Sequence, residues 1–281
     1  MTVRIGFLLP SYSRRSTSQW PAVVRALADA GAVVEVVHPV PGGAALDVTQ
    51  LRVAHDLYVL RKLSGFALSL AGVLHDLEAT IVNPYPVTIA LRNKMVAARV
   101  LQTAGVPVPA TYVASHPEAL APLLDEGPLV VKPYDGGGGH HVQVVRTAAE
   151  LATVRCDRRA PVFAQRYHPP QGRDRKLYVM GDQVFGVKKV FPRRTDEDKR
   201  GEAFIPGPEL RDLARRCGQA FGADLYGVDV IESNGEPYVV DVTSVPGYKG
   251  VPDAPRLLAQ YIVAAAQRAA RGQPALSEAV P

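Results

Sequence analysis

The segment from Val130 to His141 constrains the fold most, because an apolar strand ends in a lysine and runs directly into four consecutive glycines. Its letters are VVKPYDGGGGHH, and a second short apolar run, Val142–Val145, follows. This order predicts an antiparallel hairpin and differs from the strand–loop–helix order of a P-loop. Glycines let backbone N–H groups approach an anion closely, and Lys132 adds a positive charge beside them. A flexible hairpin tip with a surface lysine gives the same pattern, so both interpretations stay open for this segment alone.

Two aspartates provide the second signal, since each lies among apolar residues in a predicted strand. Asp229 occurs in YGVDVIE and Asp241 in YVVDVTS. Alternation along the second strand puts Asp241 and Thr243 on the same face. A buried carboxylate without a partner is very costly, and Mg²⁺ shared with phosphates is a natural partner. The alternative is that one aspartate lies in a turn and the other pairs with an arginine.

Composition excludes several classes of protein. The chain has 281 residues and a net charge of +5, but it shows no helix-turn-helix, zinc-finger or RNP-like pattern, so we expect anionic ligands rather than nucleic acid. Its two cysteines, Cys156 and Cys217, exclude a disulfide framework and a cysteine-rich zinc site, and they favour the cytoplasm. No apolar run approaches the roughly 18 residues of a membrane span, and the first residues read as a strand rather than a signal peptide.

Strands and helices are predicted in three units. In residues 1–88 they alternate, which predicts an open parallel sheet covered by helices. Residues 89–164 contain the glycine hairpin, and residues 165–281 contain the two aspartates. The predicted elements include strands at 3–9, 32–37, 57–60 and 79–82, helices at 20–30, 64–75, 93–103, 209–221 and 254–270, and a charged loop at 192–201.

The order of these features resembles the ATP-grasp superfamily from about Asn83 to Tyr261. The resemblance implies an α/β (α+β) fold in which an N-terminal open parallel-sheet lobe precedes two α+β subdomains that clasp ATP. It implies ATP and Mg²⁺ (or Mn²⁺) as cofactors. Its ATP-binding residues would be Lys94, Lys132, Gly136, Gly137, Gly138, Gly139, the hinge Gln165, Arg166, Tyr167 and His168, and then Asp174 and Lys176. Its metal ligands would be Asp229, Asp241 and Thr243.

Three positions depart from the superfamily pattern. The hinge usually carries glutamate where Arg166 stands, which changes the electrostatics beside adenine. The last two metal ligands are usually glutamate and asparagine, and here they are Asp241 and Thr243. A hydroxyl ligates Mg²⁺ less strongly than an amide carbonyl does, so these changes leave the metal affinity open, while the resemblance still implies metal use.

Two reactions fit the resemblance. Ligases of the RimK and glutathione-synthetase type make an acyl phosphate that an amine then attacks, and kinases of the inositol trisphosphate 5/6-kinase type phosphorylate a hydroxyl. Chain length, the glycine loop and the first lobe favour the ligase. The segment DVTSVPGYKGV and the pair Lys188-Lys189 are similar to the kinase. We expect a ligase, with the kinase as the alternative and a non-catalytic nucleotide-binding protein as a third reading.

Basic residues near the expected γ-phosphate predict a small anionic acceptor, either a carboxylate or a phosphorylated polyol, together with an amine in the ligase case. The expected catalytic residues are Lys188, Lys189 and Arg193. The expected substrate-binding residues are Arg14, His140, Arg194, Tyr248 and Lys249. A solvated loop mixed with acids at 196–198 is the alternative for the basic segment, and a homodimer is compatible with the resemblance.

Overall fold

The computed structural model describes residues 2–10, 12, 16–38, 45–61, 65–133, 142–155, 161–190 and 195–276. The first sheet is parallel, with strand order β2-β1-β3-β4. Its strands are β1 (Arg4–Leu8), β2 (Val33–His38), β3 (Leu57–Leu60) and β4 (Ile81–Val82). The strands β1 and β3 are apolar on both faces because helices cover both sides of the sheet.

Two helices cover this sheet, as the alternating pattern predicts. Helix α1 (Trp20–Asp29) buries Trp20, Val23 and Leu27 on one face, and α2 (Gly65–Asp76) packs on the other. The Trp20 indole N–H donates to the carbonyl of Pro246 at 3.1 Å, so the first lobe is tied to the end of the chain.

Two consecutive helices connect the first sheet to the second. The sequence predicts only one, α4 (Lys94–Thr103), but the structure adds α3 (Tyr85–Arg92) before it. The Asn93 carboxamide oxygen caps α4 by accepting from the N–H groups of Met95 and Val96. Such a cap typically stabilises a helix by about 1 kcal/mol and fixes where Lys94 begins it.

The second sheet is antiparallel, in the order β5-β8-β6-β7. Its strands are β5 (Thr111–Ala114), β6 (Leu129–Pro133), β7 (Gln143–Val145) and β8 (Val162–Arg166). A 3-10 helix (Pro117–Glu126) and the short α5 (Ala148–Leu151) cover its core face. The predicted hairpin is confirmed, because β6 pairs antiparallel with β7, while the loop at 134–141 lies outside the described residues.

The third sheet is also antiparallel, in the order β11-β10-β9-β12-β13. Its strands are β9 (Asp174–Met180), β10 (Gln183–Lys189), β11 (Glu202–Phe204), β12 (Leu225–Ser233) and β13 (Glu236–Ser244). Helix α7 (Pro208–Phe221) packs on one face, and α8 (Ala254–Ala269) on the other joins the core of the first lobe.

The predicted loop at 192–201 contains a short helix, α6 (Asp196–Arg200), in its described part. Thr195 and Asp198 close a capping box at its start, which gives the five-residue helix its beginning. Within the described ranges, none of the helices has the length and apolar character that crossing a bilayer requires.

Candidate active site

The two aspartates and Thr243 come together at neighbouring strands of the third sheet. Asp229 on β12 lies directly opposite Asp241 on β13, and Gly227 lies opposite Thr243. The Thr243 hydroxyl is 3.5 Å from the Asp241 carboxylate. All three side chains therefore share one face, which alternation predicts for Asp241 and Thr243, whereas a β-bulge between Asp229 and Val230 adds Asp229. Their role as metal ligands stays a prediction.

The chemistry of these donors fits Mg²⁺. They offer two carboxylates and one hydroxyl, all hard oxygen ligands. Among the described residues no group of three or more histidine, cysteine, aspartate or glutamate side chains is placed to hold a metal. Mg²⁺ is commonly held by one or two carboxylates, with waters and substrate phosphates completing its octahedron, so this small donor set suits that mode of binding.

Lys176 on β9 completes the row, because it lies opposite Asp229 on the next strand. Its ammonium contacts the Asp229 carboxylate at 2.8 Å, and the two side chains are only 8% and 16% exposed. Gly227 makes this possible, since a Cβ there would lie 2.9 Å from Cε of Lys176. The predicted ATP ligand Lys176 is thus the charge partner of a predicted metal ligand.

Lys132 joins the second sheet to the third. Its ammonium donates to the Gln165 side-chain oxygen at 2.6 Å and to the Val240 carbonyl at 3.1 Å. Burial lowers the pKa of Lys132, the nearby Asp241 carboxylate opposes that shift, and the Lys94 ammonium adds to it. Two lysines from separate elements therefore approach the carboxylates of the third sheet.

A narrow cleft runs between α4, β8 and β13. It is lined by Lys94, Ala97, Ala98, Leu101, Val108, Phe163, Gln165 and residues 239–242. Its empty volume, including the part open to solvent, is about 330 Å³. The cleft is therefore where α4 and strands of the second and third sheets come together beside Asp241.

The hinge residues make contacts that the sequence does not reveal. The N–H groups of Arg166 and Tyr167 donate to the carbonyls of Ala110 and Pro128 at 2.8 and 2.9 Å, so these two amides are occupied by the protein itself. The His168 ring stacks on Tyr238 with centroids 3.9 Å apart. Burial, and then the Arg166 charge, lower the pKa of His168, so this histidine is mainly neutral at pH 7.

The Arg166 side chain connects the end of β8 to the 3-10 helix that covers the second sheet. Its guanidinium donates to the Leu123 carbonyl at 3.0 Å and to the Glu126 carboxylate at 2.9 Å. It also lies 5.6 Å from the centroid of the Tyr112 ring. The arginine that replaces the usual glutamate thus turns toward the 3-10 helix, where Glu126 balances its charge.

The two lysines that end β10 lie on opposite faces of the strand. Lys189 pairs with Asp174 and shares the face of Lys176, whereas Lys188 pairs with Arg175 and lies 5.6 Å from the Phe204 ring. The expectation that both lysines face the site is therefore corrected, because side chains alternate along a strand. Only Lys189 lies on the face of the acids.

Lys189 is buried and donates to backbone groups, with 4% exposure. Its ammonium contacts the Tyr178 hydroxyl and the Lys199 carbonyl at 2.8 Å each, and the Lys249 carbonyl at 3.4 Å. These contacts fasten α6 and the segment after β13 to the third sheet. In this arrangement Lys189 shapes the wall of the site.

The predicted substrate residues Tyr248 and Lys249 differ in their surroundings. Tyr248 is fully buried, and its hydroxyl donates to the Val179 carbonyl at 3.0 Å, so the expectation that it contacts substrate is corrected. Lys249 is partly exposed and contacts the Thr17 hydroxyl at 2.6 Å and Asp196 at 3.3 Å. The remaining predicted residues lie outside the described ranges: Arg14, Gly136, Gly137, Gly138, Gly139, His140, Arg193 and Arg194.

Asn83 is a positioning residue that the sequence did not single out. It is fully buried at the end of β4, and its amide donates to the Leu225 carbonyl at 2.8 Å and the Ser244 hydroxyl at 3.0 Å. Its oxygen accepts from the N–H groups of Asp224 and Leu225 at 3.1 Å each. Asn83 thereby connects the first lobe to β12 and β13, the two strands that carry the predicted metal ligands. In the sequence, the only signal for this role is an asparagine that follows a short predicted strand and precedes a proline.

Comparison with known proteins supports the same fold. A family model described as a RimK-like ATP-grasp domain matches residues 91–265. The "Probable alpha-L-glutamate ligase 2" of Shewanella frigidimarina is 30% identical over 176 residues, which span 58% of this chain and 59% of that protein. The ribosomal protein bS6–L-glutamate ligase of Escherichia coli K12 is 25% identical over 246 residues, or 79% of this chain and 82% of that protein.

Solved structures extend the likeness to nearly the whole chain. The RimK domain ATP-grasp protein of Sphaerobacter thermophilus has a TM-score of 0.71 at 24% identity, covering 92% of this chain and 99% of that one. The ATP-grasp ligase PsnB, complexed with a minimal precursor, Mg and ADP, has a TM-score of 0.70 at 18% identity, covering 93% and 96%. At these identities the likeness shows the fold.

Proposed function

The chain belongs to the RimK-like ATP-grasp family, and from that membership we propose that it is an ATP- and magnesium-dependent ligase joining a carboxylate to an amine through an acyl phosphate. The observation that carries the proposal is the position of Lys132. Its ammonium leaves the second sheet and reaches the Val240 carbonyl, one residue from Asp241 in the third sheet. A lysine held between two sheets beside a pair of carboxylates suits the phosphates of a nucleotide.

The proposed reaction has two steps. A carboxylate oxygen attacks the γ-phosphorus of ATP, the bond to ADP breaks, and the acyl phosphate forms. The amine nitrogen then attacks the acyl carbon, phosphate leaves, and the nitrogen loses a proton.

The chain's residues have separate roles in this scheme. The ammonium groups of Lys94 and Lys132 would bind the phosphates and neutralise the charge that develops on them. Asp229, Asp241 and Thr243 would hold Mg²⁺, which supplies further positive charge on the phosphate oxygens. Closing of the cleft would exclude water, so that the acyl phosphate meets the amine rather than being hydrolysed.

An amino acid or a peptide carboxylate is the substrate class that we infer. The relatives named above are a glutamate ligase and a ligase that joins glutamate to a ribosomal protein. We place the enzyme in the cytoplasm, where ATP and free amino acids are both abundant.

Incubation of the purified chain with Mg-ATP, pooled amino acids and short peptides tests the proposal, with phosphate release and mass spectrometry as readouts. We expect ADP, phosphate and a product whose mass is the sum of an acid and an amine minus water. A product that gains one phosphoryl group on a hydroxyl would establish a kinase instead. Bound ATP without turnover on any acceptor would establish a non-catalytic binding protein. Lys132→Met is the inactive control.

A further inference from the structure

The carboxyl edge of the first sheet contains a second set of polar groups. In the order β2-β1-β3-β4, the chain runs from β1 to one side and then crosses to the other, so the topological switch point lies between β1 and β3. Open parallel sheets bind ligands in the crevice outside this point. Arg61 directly follows β3, and its backbone N–H donates to the carbonyl of Leu8, the last residue of β1, at 3.0 Å. Tyr12 follows β1 by four residues.

Two side-chain donors in this crevice lack a hydrogen-bond partner. The Nε atom of Arg61 and the hydroxyl of Tyr12 are both inaccessible to solvent, and neither makes a hydrogen bond with any residue that the structure describes. Buried polar groups in native proteins are almost always hydrogen-bonded. Two unsatisfied donors at a switch point therefore indicate that an acceptor from a ligand belongs there.

The surroundings of Arg61 favour an anion. Burial lowers the pKa of its guanidinium, and the Tyr12 and Tyr248 hydroxyls, the other contributors among the described residues, oppose that shift. Within the part of the chain that the structure describes, no carboxylate forms an ion pair with Arg61. A buried guanidinium normally pairs with a carboxylate or phosphate, and a planar carboxylate accepts two parallel N–H groups from it.

Electrostatic and ring interactions link this crevice to the active site. Arg61 interacts electrostatically with the Tyr248 hydroxyl, and the Tyr248 ring lies 5.3 Å from the Tyr178 ring, centroid to centroid. The Tyr178 ring in turn lies 5.9 Å from the ammonium of Lys176, which contacts Asp229.

We propose that Arg61 and Tyr12 bind a carboxylate of the amino-acid substrate that takes no part in the reaction. The guanidinium would donate Nε–H and a terminal N–H to the two oxygens, and the Tyr12 hydroxyl would donate to one of them. The proposal rests on the proposed ligase function for its substrate class. It adds the residues that recognise that substrate, in the lobe that precedes the segment matched by the family model.

Calorimetric titration of the full chain tests the site, in the presence of Mg²⁺ and a non-hydrolysable ATP analogue. The probes are L-glutamate, L-glutamine, which lacks the side-chain carboxylate, and 4-aminobutyrate, which lacks the α-carboxylate. The variants are Arg61→Gln and Tyr12→Phe, with Arg52→Gln as the matched control, because Arg52 is exposed and, among the described residues, its hydrogen bonds go to carbonyls of its own segment.

The proposed site gives a specific pattern of affinities. Arg61→Gln weakens L-glutamate binding about tenfold or more, and Tyr12→Phe weakens it by a smaller factor, whereas Arg52→Gln binds as the wild type does. One of the two analogues binds the wild type more weakly than L-glutamate does but loses no further affinity in Arg61→Gln. That coupling identifies the carboxylate that Arg61 contacts.

Thermal unfolding separates recognition from a structural role. Because the buried Nε has no partner, Arg61→Gln should unfold no earlier than the wild type. If Arg61→Gln does unfold at a lower temperature than the wild type, Tyr12→Phe alone decides between recognition and a structural role, since that substitution removes only an oxygen. The proposal is overturned if Arg61→Gln or a folded Tyr12→Phe binds L-glutamate as the wild type does. It is also overturned if Arg61→Gln loses affinity equally for all three probes, or if the wild type binds none of the three. Binding of the ATP analogue and turnover are measured separately, so Arg61-dependent glutamate binding without ligation would refute the proposed function and leave this site standing.

Discussion

Replacing Lys132 by methionine removes an ammonium that connects the second and third sheets. The side chain keeps its length, but the hydrogen bonds to Gln165 and to the Val240 carbonyl, 2.6 and 3.1 Å long, are lost. If this ammonium binds the ATP phosphates, the variant loses a charge-assisted hydrogen bond worth about 1.5–3 kcal/mol. Since 1.4 kcal/mol corresponds to a factor of ten, the Kd for Mg-ATP should rise about 10- to 100-fold.

The stability of this variant should change much less than its affinity. Two acceptors lose a donor, at about 1–3 kcal/mol each, but the cost of burying the ammonium disappears as well. We therefore expect a folded protein, checked by thermal unfolding, and we measure ATP binding by calorimetry. Lys188→Met is the matched control, because Lys188 lies on the opposite face of the third sheet. The reasoning is refuted if Lys132→Met and Lys188→Met bind Mg-ATP as tightly as the wild type.

Three further predictions concern the metal, the packing and a buried thiol. Asp241→Asn should raise the Mg²⁺ concentration needed for half-maximal ATP binding about tenfold or more, because a charged ligand becomes neutral. Gly250→Ala should lower the free energy of unfolding in urea by about 2–4 kcal/mol, since φ is +90° and a Cβ would collide with the Arg200 carbonyl. In a Cys156→Ser background, Cys217 should not react with a disulfide reagent at pH 8, because burial raises its pKa to about 12 and leaves only about one thiol in 10⁴ ionised.

Each of these three predictions has its own control variant or control measurement. For the metal, Asp182→Asn changes a carboxylate in the turn between β9 and β10, and equal Mg²⁺ dependence in both variants would contradict the ligand assignment. For the packing, Gly247→Ala meets no atom within 4 Å, so equal stability losses at Gly247 and Gly250 would contradict the steric argument. For Cys217, rapid labelling before unfolding would show that the thiol is accessible; slow labelling that becomes rapid in urea is the expected result.

Part of the site could be predicted from sequence, because Asp241 and Thr243 share a face in any extended strand. The position of Asp229 could not, because the turn at Ser233–Glu236 alone would pair it with Val240, and the β-bulge between Asp229 and Val230 brings it opposite Asp241. The hairpin that starts at Lys132 is local in the same way as the first pair. For Asp241, Thr243 and this hairpin, neighbours within a few positions along the chain determine the geometry.

Contacts between distant segments determine the residues that could not be predicted. Lys189 has backbone partners at Lys199 and Lys249, and Arg166 reaches the 3-10 helix about 40 residues earlier. A run of basic letters does not show which lysine faces which side, because that depends on strand register. Likewise, only the tertiary structure reveals that Tyr248 is a core residue and that the Arg61 Nε atom and the Tyr12 hydroxyl are inaccessible to solvent.

An acyl phosphate that forms before the amine attacks distinguishes a ligase from a kinase, and hydroxylamine traps that intermediate. The chain is incubated with Mg-ATP, the carboxylate substrate and hydroxylamine, without the natural amine. If an acyl phosphate forms, hydroxylamine displaces phosphate, and we expect a hydroxamate of the substrate together with equal amounts of ADP and phosphate. ADP formation with a phosphorylated hydroxyl product and no hydroxamate would refute the ligase mechanism.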